Sequence, residues 1–184
     1  MPEAVVISLD SYYRDLSAVV PAQRENSNFD EPAALDHELM AEHLGTLAEG
    51  GLVQQPIYDF ATHTRAEQTR QIEGDKSYIV VEGLFALYWD KVRRFLQTRA
   101  FINVDDQLCL SRRLQRDVRE RHRTLESVRK QYDNTVRPMF VRYVEPTRQF
   151  ANLIVQGELP VEQSAETILE FIQKKERSFS NSDE

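Results

Sequence analysis

The stretch AVVISLD at Ala4–Asp10 decides the fold class of this chain. Its apolar residues, Ala4–Leu9, are rich in β-branched side chains and are typical of a buried strand in a parallel sheet. Similar short runs occur at Ser77–Glu82, Ala100–Val104 and Asn152–Val155. Helical patterns separate these runs, so the sequence predicts an α/β fold with a mostly parallel sheet and flanking helices.

Between the first two predicted strands lie a helix and an excursion. Apolar residues recur at helical spacing over Leu35–Leu47, and Gly50-Gly51 ends that pattern. Val53–Phe60 and Gln68–Glu73 predict a β-hairpin joined by the polar stretch Ala61–Glu67. The preceding segment, residues 11–29, is polar and irregular, so we expect a loop there.

Four helices are predicted in the remainder of the chain. A short one is expected around Trp89–Leu96 and a longer one over Gln107–Arg119. Another begins near Thr124, and Pro138 is expected to kink or end it. A closing helix contains residues 168–172. We expect one domain over residues 1–175 and a polar, disordered tail over residues 176–184.

Composition narrows the class of protein. With 184 residues and 41% hydrophobic content, the chain suits one soluble domain. Its apolar runs are too short to cross a bilayer and no signal peptide is visible, which predicts a cytoplasmic protein without a membrane partner. A net charge of −7 disfavours nucleic-acid binding. The single cysteine, Cys109, lies between two leucines and is expected to be a buried core thiol.

Charge is distributed unevenly along the chain. Between Arg112 and Arg148 there are eleven Lys or Arg residues against five Asp or Glu, although the whole chain is acidic. A basic block within an acidic protein favours a local anionic ligand. A solvated helix face is the alternative, and composition by itself favours that alternative.

Acidic residues follow three of the predicted strands. Asp10, Glu82 and Asp105 each stand where a strand ends, and ligands of open α/β sheets bind at the carboxyl ends of strands. Asp10 can serve as a general base for phosphoryl transfer, and Glu82 can hold Mg²⁺ directly or through water. A role for Asp10 as a cap or turn residue stays open, and Glu82 is equally ambiguous.

Six arginines occupy twelve consecutive positions: Arg112, Arg113, Arg116, Arg119, Arg121 and Arg123. Arg113 and Arg116 share a helix face, and the guanidinium fork suits phosphate and ribose oxygens. The Arg121–Arg123 segment lies between two predicted helices, as a lid over phosphates requires. Intrahelical ion pairs, such as Arg116 with Glu120, are the alternative.

The predicted hairpin carries two aromatic residues and a histidine. Tyr58, Phe60 and His63 can stack on a base and hydrogen-bond its edge. Ordinary hairpin packing is the alternative for these aromatics. The four histidines include no pair at metal-ligand spacing, so the sequence gives no case for zinc.

Together these segments resemble the uridine kinase (uridine–cytidine kinase) family, and its bacterial branch in particular. The matching stretches run in the family's order: LDSYYRDL at Leu9–Leu16, NFDEPAALDHELM at Asn28–Met40, PIYDFATHTR at Pro56–Arg65, VVEGLFAL at Val80–Leu87, LSRRLQRDVRERHRTLESVRKQY at Leu110–Tyr132 and VRPMFVRYVEPTRQFANLIV at Val136–Val155. The fold that this resemblance implies is that of a P-loop NTPase-like nucleoside kinase with a β-hairpin excursion.

The resemblance also implies residue roles. Asp10 is similar to the base that takes the proton of the nucleoside 5′-hydroxyl, and Asp10 and Glu82 to the magnesium partners. Arg116 and Arg121 resemble lid arginines that neutralise the transferring phosphate. Asp30 and Arg113 resemble ribose binders, and His63 is expected to face the pyrimidine edge. The remaining nucleoside contacts implied in this way are Tyr13, Tyr58, Phe60, Arg123 and Gln131.

The activity implied is transfer of phosphate from ATP or GTP to uridine, giving UMP for pyrimidine salvage, with Mg²⁺ as cofactor. The family also implies a homotetramer. Two alternatives stay open: a catalytically dead nucleoside-binding or regulatory subunit, and a related kinase for phosphoribulose or pantothenate.

One family motif is not found in this sequence. Members carry Gly-x-x-x-x-Gly-Lys-Ser/Thr before the strand that ends at Asp10, whereas nine residues precede Asp10 here and none is glycine. No Gly-Lys-Ser or Gly-Lys-Thr occurs elsewhere in the 184 residues. We therefore expect a family member without its first strand, phosphate loop and first helix, which is inactive as this chain alone.

Overall fold

The computed structural model describes residues 3–24 and 27–180. They form two compact units. The first extends through Gln97 and includes Met139–Glu145, and the second comprises Thr98–Pro138 and the residues from Pro146 onward. The sequence predicts a single domain over residues 1–175. It does not predict the two compact units into which the structure divides the chain.

Parallel pairing of the strand that decides the fold is confirmed in the first unit. β1 (Ala4–Ser8) pairs in parallel with β4 (Tyr78–Glu82), with Ser8 opposite Glu82. β2 (Leu52–Asp59) and β3 (Thr64–Glu73) form the predicted antiparallel hairpin. The helices of this unit are α1 (Pro21–Arg24), α2 (His37–Ala48) and α3 (Asp90–Arg93).

Burial of these strands is only partial, which corrects the expectation of buried strands. Ile7 is fully buried and Leu9 nearly so, whereas Val6 and Val80 are 48% and 45% exposed. The physical reason is the width of the sheet, because β1 and β4 form a two-stranded sheet within the described residues. Parallel sheets bury both faces only when other elements cover both.

Helix α2 supplies much of the core of the first unit. The Asp36 carboxylate caps its N-terminus by accepting a hydrogen bond from the Leu39 N–H at 3.3 Å. The apolar stripe of the helix buries Met40, Leu44 and Leu47, as its spacing predicts. Burial of each such side chain stabilises the fold by roughly 1.5–3 kcal/mol.

The connection within the hairpin is shorter than the predicted stretch Ala61–Glu67. β3 already begins at Thr64 because Asp59 closes the turn. The Asp59 carboxylate accepts hydrogen bonds from the Ala61 N–H and the Thr62 hydroxyl, each at 2.8 Å. Short polar side chains that bond the following backbone favour such turns, so the polar residues here extend the strand instead of lengthening the loop.

The second unit also contains a parallel pair. β5 (Ala100–Asn103) lies beside β6 (Leu153–Gln156) in parallel register. Its long helices are α4 (Asp106–Arg121) and α7 (Val161–Ser180), and α5 (Leu125–Gln131) follows α4 after a short turn. Thr124 caps α5 by accepting from the Ser127 N–H at 3.2 Å.

Pro138 is expected to kink or end the helix, and of these two outcomes the helix end is wrong, because the helical path continues through Pro138. The chain continues through a π-helical turn over Tyr132–Val136, the short helix α6 (Arg137–Met139) and a second π-helical turn over Phe140–Val144. A π-helical turn pairs residues one position further apart than an α-helix does. This altered pairing precedes the proline, whose ring nitrogen offers no N–H to the helix.

Two further expectations are corrected by the structure. Cys109 is exposed, because α4 turns it away from the core of its unit. The residues from 176 to Ser180 belong to α7, so the expected disordered tail is helical over that range. The rest of the tail lies outside the described residues. No helix within the described ranges has both the length and the apolar character needed to cross a bilayer.

Candidate functional site

Of the three acidic residues singled out at strand ends, Asp10 and Glu82 lie at neighbouring ends of one sheet, whereas Asp105 follows β5 in the second unit and caps α4. Glu82 is the last residue of β4 and stands opposite Ser8 in β1, and Asp10 follows two residues beyond Ser8. Both carboxylates are on exposed residues. Because the strands are parallel, their carboxyl ends meet at one edge of the sheet. The predicted placement of both acids is therefore confirmed.

A tight backbone approach supports this edge. Gly83 follows Glu82 with φ of +138°, a backbone conformation that side chains rarely adopt. A Cβ added to Gly83 would lie 2.6 Å from the Cβ of Leu9. Glycine thus permits the segment after β4 to pass close to the residue before Asp10.

The candidate base-binding residues form an aromatic cluster in the first unit. Tyr13 packs against Tyr58 with ring centroids 5.2 Å apart, and Phe60 contacts Tyr58 edge-to-face at 5.2 Å. Phe29 meets Tyr13 edge-to-face at 5.9 Å. Phe60 remains 56% exposed, which leaves an aromatic surface of the cluster open to solvent. Tyr13, Tyr58 and Phe60 are thus brought together as predicted.

His63 joins this cluster through Phe29. The two rings stack with centroids 4.4 Å apart and an interplanar angle of 16°. The His63 backbone is left-handed, with φ of 56°, and its carbonyl accepts a hydrogen bond from the Leu16 N–H at 3.2 Å. A left-handed histidine is uncommon and marks a site where other contacts hold the backbone.

Two polar atoms of this cluster are buried and make no hydrogen bond to the described residues. They are the hydroxyl of Tyr58 and Nδ1 of His63. Burial raises the pKa of the Tyr58 phenol to about 12, so the hydroxyl stays protonated at neutral pH. A buried polar atom without a partner costs about 1–3 kcal/mol, which a ligand with matching donors and acceptors can recover.

Asp30 follows Phe29 in the loop that reaches this cluster. Its backbone N–H donates to the side-chain oxygen of Asn28 at 3.1 Å, and the residue is half-buried. The Tyr13 hydroxyl donates to the Phe29 carbonyl at 3.2 Å. The same loop thus brings Asp30 to the part of the unit that holds the aromatic residues.

The basic residues form a separate cluster in the second unit. Gln131 on α5 accepts hydrogen bonds through Oε1 from Arg123 Nη1 at 2.6 Å and from Arg113 Nη2 at 3.4 Å. Arg116 donates through Nε to Asp117 Oδ1 at 2.8 Å. Arg121 Nε lies 3.8 Å from the same oxygen. The structure brings these five polar side chains together on α4, on α5 and in the turn between the two helices.

A divalent cation is expected from the resemblance. No group of three or more histidine, cysteine, aspartate or glutamate side chains within the described ranges has the arrangement of a metal site. Mg²⁺ usually takes one or two carboxylates together with waters and substrate phosphates. Asp10 and Glu82, two exposed carboxylates at adjacent strand ends, fit that donor set.

Three residues that support the clusters were missed at the level of sequence. Phe29 stacks on His63, Arg65 hydrogen-bonds the loop that bears Tyr13, and Asp117 contacts the arginines. Phe29 precedes Asp30, and Arg65 ends the stretch Pro56–Arg65. Their only sequence signal was this position next to residues that were already candidates for the site. Asp117 had no signal beyond being one of two acidic residues among the arginines, the other being Glu120.

Comparison with known proteins identifies the family to which this chain is similar. The model of the "Phosphoribulokinase / Uridine kinase family" matches residues 2–164. The uridine kinase of Vibrio cholerae serotype O1 is 44% identical over 150 residues, which are 82% of this chain and 70% of that relative. The predicted resemblance to bacterial uridine kinases is therefore confirmed.

Solved structures agree on the fold. Phosphoribulokinase from Rhodobacter spheroides superposes with a TM-score of 0.66 at 15% identity, over 84% of this chain and 60% of that one. D-glycerate 3-kinase from Cryptococcus neoformans gives 0.60 at 18% identity, over 77% and 69%. The predicted fold class, an α/β fold of the P-loop kinase type with parallel strands and flanking helices, is confirmed.

Proposed function

Because this chain belongs to the phosphoribulokinase/uridine kinase family, we propose that its first unit binds a pyrimidine nucleoside, uridine or cytidine. The nucleoside is the acceptor of a phosphoryl group from ATP or GTP at its 5′-hydroxyl, a reaction of pyrimidine salvage. The relatives named as uridine kinases support this substrate class.

The aromatic cluster carries the proposal. It combines the open ring surface of Phe60 with the stacked pair Phe29–His63 and two buried polar atoms that make no hydrogen bond within the described part of the chain. A planar base offers a π-face for stacking and both donors and acceptors at its edge. Nδ1 of His63 and the hydroxyl of Tyr58 are the atoms we assign to that edge, and Asp30 to the ribose.

The edge of the β1–β4 sheet supplies the chemistry. Asp10 is the proposed general base, which takes the proton of the 5′-hydroxyl as its oxygen attacks the terminal phosphorus. Asp10 and Glu82 would hold Mg²⁺, which when bound neutralises charge on the phosphates. Their positions at adjacent strand ends support both assignments.

The arginine cluster of the second unit supplies positive charge. Arg113 and Arg123 share the acceptor Gln131, and Arg116 and Arg121 are 46% and 57% exposed at their side chains. Guanidinium groups bind phosphate oxygens through paired N–H donors. We assign Arg116 and Arg121 to the transferring phosphate, and Arg113, Arg123, Gln131 and Tyr13 to further nucleoside contacts.

We further propose that these 184 residues bind the acceptor without turning it over. The sequence contains no Gly-Lys-Ser or Gly-Lys-Thr, which supplies the phosphate cradle and the magnesium-binding hydroxyl in P-loop enzymes. The same observation favours a second candidate function, a nucleoside-binding subunit that partners an active kinase.

Calorimetry separates these functions. The purified chain is titrated with uridine, cytidine, adenosine, ribulose 5-phosphate, pantothenate and ATP, and assayed for UMP formation from ATP and uridine. We expect binding of the pyrimidine nucleosides and no UMP. UMP formation would contradict the inactivity, and selective binding of ribulose 5-phosphate or pantothenate would replace the pyrimidine assignment. Uridine binding without ATP binding supports the nucleoside-binding subunit.

Location and assembly complete the proposal. The homotetramer and the cytoplasmic location follow from the resemblance to the uridine kinase family, and both are part of the proposal. Light scattering coupled to size exclusion tests the assembly directly. A monomer at micromolar concentration would contradict the tetramer without affecting the nucleoside assignment.

A further inference from the structure

Asp117 is a buried charge that the proposed chemistry does not use. It is 0% exposed and is the only residue of α4 that is buried, every residue of that helix being described. Aspartate is almost never fully buried unless it is paired, because removing an ionised carboxylate from water is costly. The contacts of Asp117 therefore have to offset a large desolvation cost.

Four guanidinium groups surround this carboxylate. Oδ1 lies 2.8 Å from both Nε and Nη2 of Arg116 and 3.8 Å from Nε of Arg121. Oδ2 lies 3.5 Å from Nε of Arg113 and 3.6 Å from Nη1 of Arg123. One aspartate thus contacts all four arginines to which a role with the nucleoside or its phosphate is assigned above.

The backbone of Asp117 adds a second connection. Its carbonyl accepts hydrogen bonds from the His122 N–H and, at 3.1 Å, from the Arg123 N–H. His122 is left-handed there, with φ of 53°, and reverses the chain at the end of α4. Asp117 therefore holds the turn at the end of α4 through its backbone carbonyl. Through its carboxylate it also contacts the side chains of Arg121 and Arg123.

Without the aspartate, the four arginines would repel one another. With it, the group holds a net charge of +3. Arg116 directs two N–H donors at one carboxylate oxygen, and the other three guanidinium groups each have a nitrogen within 3.8 Å of the carboxylate. An arginine presents five donors in a rigid fork, so an anchored guanidinium keeps donors for a second anion. Arg116 and Arg121 are the exposed pair that can use them.

We propose that Asp117 is a positioning residue, which orients the guanidinium groups of Arg116 and Arg121 to bind a polyphosphate. The inference rests on the proposed function, in which these two arginines meet the transferring phosphate. Asp117 acts through the arginines and touches no reacting atom.

The sign of one mutational effect separates positioning from simple charge. Asp117→Asn keeps the size of the side chain and raises the charge of the group from +3 to +4. If Asp117 only lowered the positive potential, the variant would bind polyanions more tightly. If Asp117 positions the arginines, the variant binds them more weakly, despite its greater positive charge.

The test titrates inorganic tripolyphosphate into the full chain by calorimetry, without nucleoside. We expect Asp117→Asn to weaken binding about tenfold or more, and Asp117→Glu, which keeps the charge, to recover part of the loss. Arg119→Ala removes an exposed arginine from the same helix and should leave binding unchanged. Equal or tighter binding by Asp117→Asn, or no binding by the parent chain, overturns the proposal.

A second measurement needs no folded variant. In the parent chain, the Arg116 Nε–H should exchange with water at least about tenfold more slowly than that of Arg119, because it is hydrogen-bonded to Asp117. Equal exchange rates in nitrogen-15 spectra would overturn the proposal even if Asp117→Asn failed to fold. Neither measurement involves uridine, so a failure here is distinct from a failure of nucleoside binding.

Discussion

Nε of Arg65 donates a hydrogen bond to the backbone carbonyl of Tyr13, with 3.0 Å between the two heavy atoms. The Arg65 backbone N–H donates to Asp15 at 3.0 Å, and its Nη2 forms an ion pair with Asp36 at 3.3 Å. One partly buried side chain therefore ties β3 to the loop after β1. That tie aligns Tyr13 with the hairpin residues of the aromatic cluster.

Replacement of Arg65 by alanine should weaken both stability and nucleoside binding. The loss of hydrogen bonds from a charged donor should cost about 1–3 kcal/mol of unfolding free energy, and release of Tyr13 should raise the Kd for uridine about tenfold. Urea unfolding and calorimetry measure the two effects. Arg70→Ala, at an exposed position of the same strand, is the control, and equal effects of the two variants would contradict the role of Arg65.

Tyr58→Phe should separate binding from stability. The Tyr58 hydroxyl is buried and makes no hydrogen bond to residues 3–24 or 27–180, so its removal should leave the free energy of unfolding unchanged or raise it by up to about 1 kcal/mol. Uridine binding should nevertheless weaken, because the hydroxyl is assigned to the base edge. A variant that loses stability and keeps its affinity for uridine would contradict this assignment.

Tyr12→Phe is the matched control for that experiment. The Tyr12 hydroxyl is paired with Nδ1 of His43 at 3.0 Å and the residue is 1% exposed. Its removal should therefore cost about 1 kcal/mol of stability, since it breaks a hydrogen bond to the half-buried His43. Urea unfolding measures both changes in the free energy of unfolding, which should fall for Tyr12→Phe and stay unchanged or rise for Tyr58→Phe.

Gly83→Ala should destabilise the edge of the sheet that carries Asp10 and Glu82. An added methyl group would meet Leu9 at 2.6 Å, and φ of +138° disfavours any side chain. Overpacking and backbone strain together should cost about 1–3 kcal/mol. Gly50→Ala is the control for strain alone, because its φ is +78° with open space around the added carbon. A Gly83 variant as stable as the Gly50 variant would contradict the close approach.

Stability should fall in alkaline solution. Burial raises the pKa of Tyr58 to about 12 from about 10 in an unfolded chain, so folding favours the protonated phenol. Its contribution is fully present below about pH 10 and is lost as pH rises toward about 12. Urea unfolding followed by fluorescence of the single tryptophan, at about pH 8 and about pH 11, measures the loss. If the Tyr58→Phe variant lost as much stability between these two pH values as the parent chain, the assignment of part of the alkaline loss to the Tyr58 phenol would be contradicted.

Other groups contribute to the alkaline loss in the same direction. Hydrogen bonds to Glu3 and Asp75 raise the pKa of Lys76 to about 12, and burial raises the pKa of Tyr12 and Tyr132. Each of these groups prefers the protonated state in the folded chain, so each loses its stabilisation as pH rises. Tyr58→Phe should therefore reduce the alkaline loss without abolishing it.

Short sequence patterns predicted correctly the strands and side-chain clusters that depend on residues close together in the sequence. The apolar run before Asp10 and the run before Glu82 predicted two parallel strands, and their pairing places both acids at one edge. The hairpin aromatics and the arginine block likewise follow from short stretches of sequence. These features were predictable because strand pattern and residue type determine them within a few residues.

Features that depend on distant partners were not predictable in this way. Asp117 is buried among four arginines that contact its carboxylate, and nothing in its sequence neighbours distinguishes it from Glu120 on the same helix. Phe29 stacks on His63 across 34 positions of sequence. The π-helical turns before and after Pro138 lie where the sequence predicts a kink or an end of the helix, and hydrogen-bond pairing rather than composition determines them.

Calorimetric titration of the chain with uridine tests nucleoside binding by the aromatic cluster most directly. We predict a Kd between about 1 μM and about 1 mM, weakened about tenfold or more by His63→Ala, which removes the Phe29 stack and a buried nitrogen. His37→Ala removes an imidazole that stacks on Trp89 instead and should leave the Kd unchanged. A folded chain that does not bind uridine, or that binds it equally well without His63, would contradict the account.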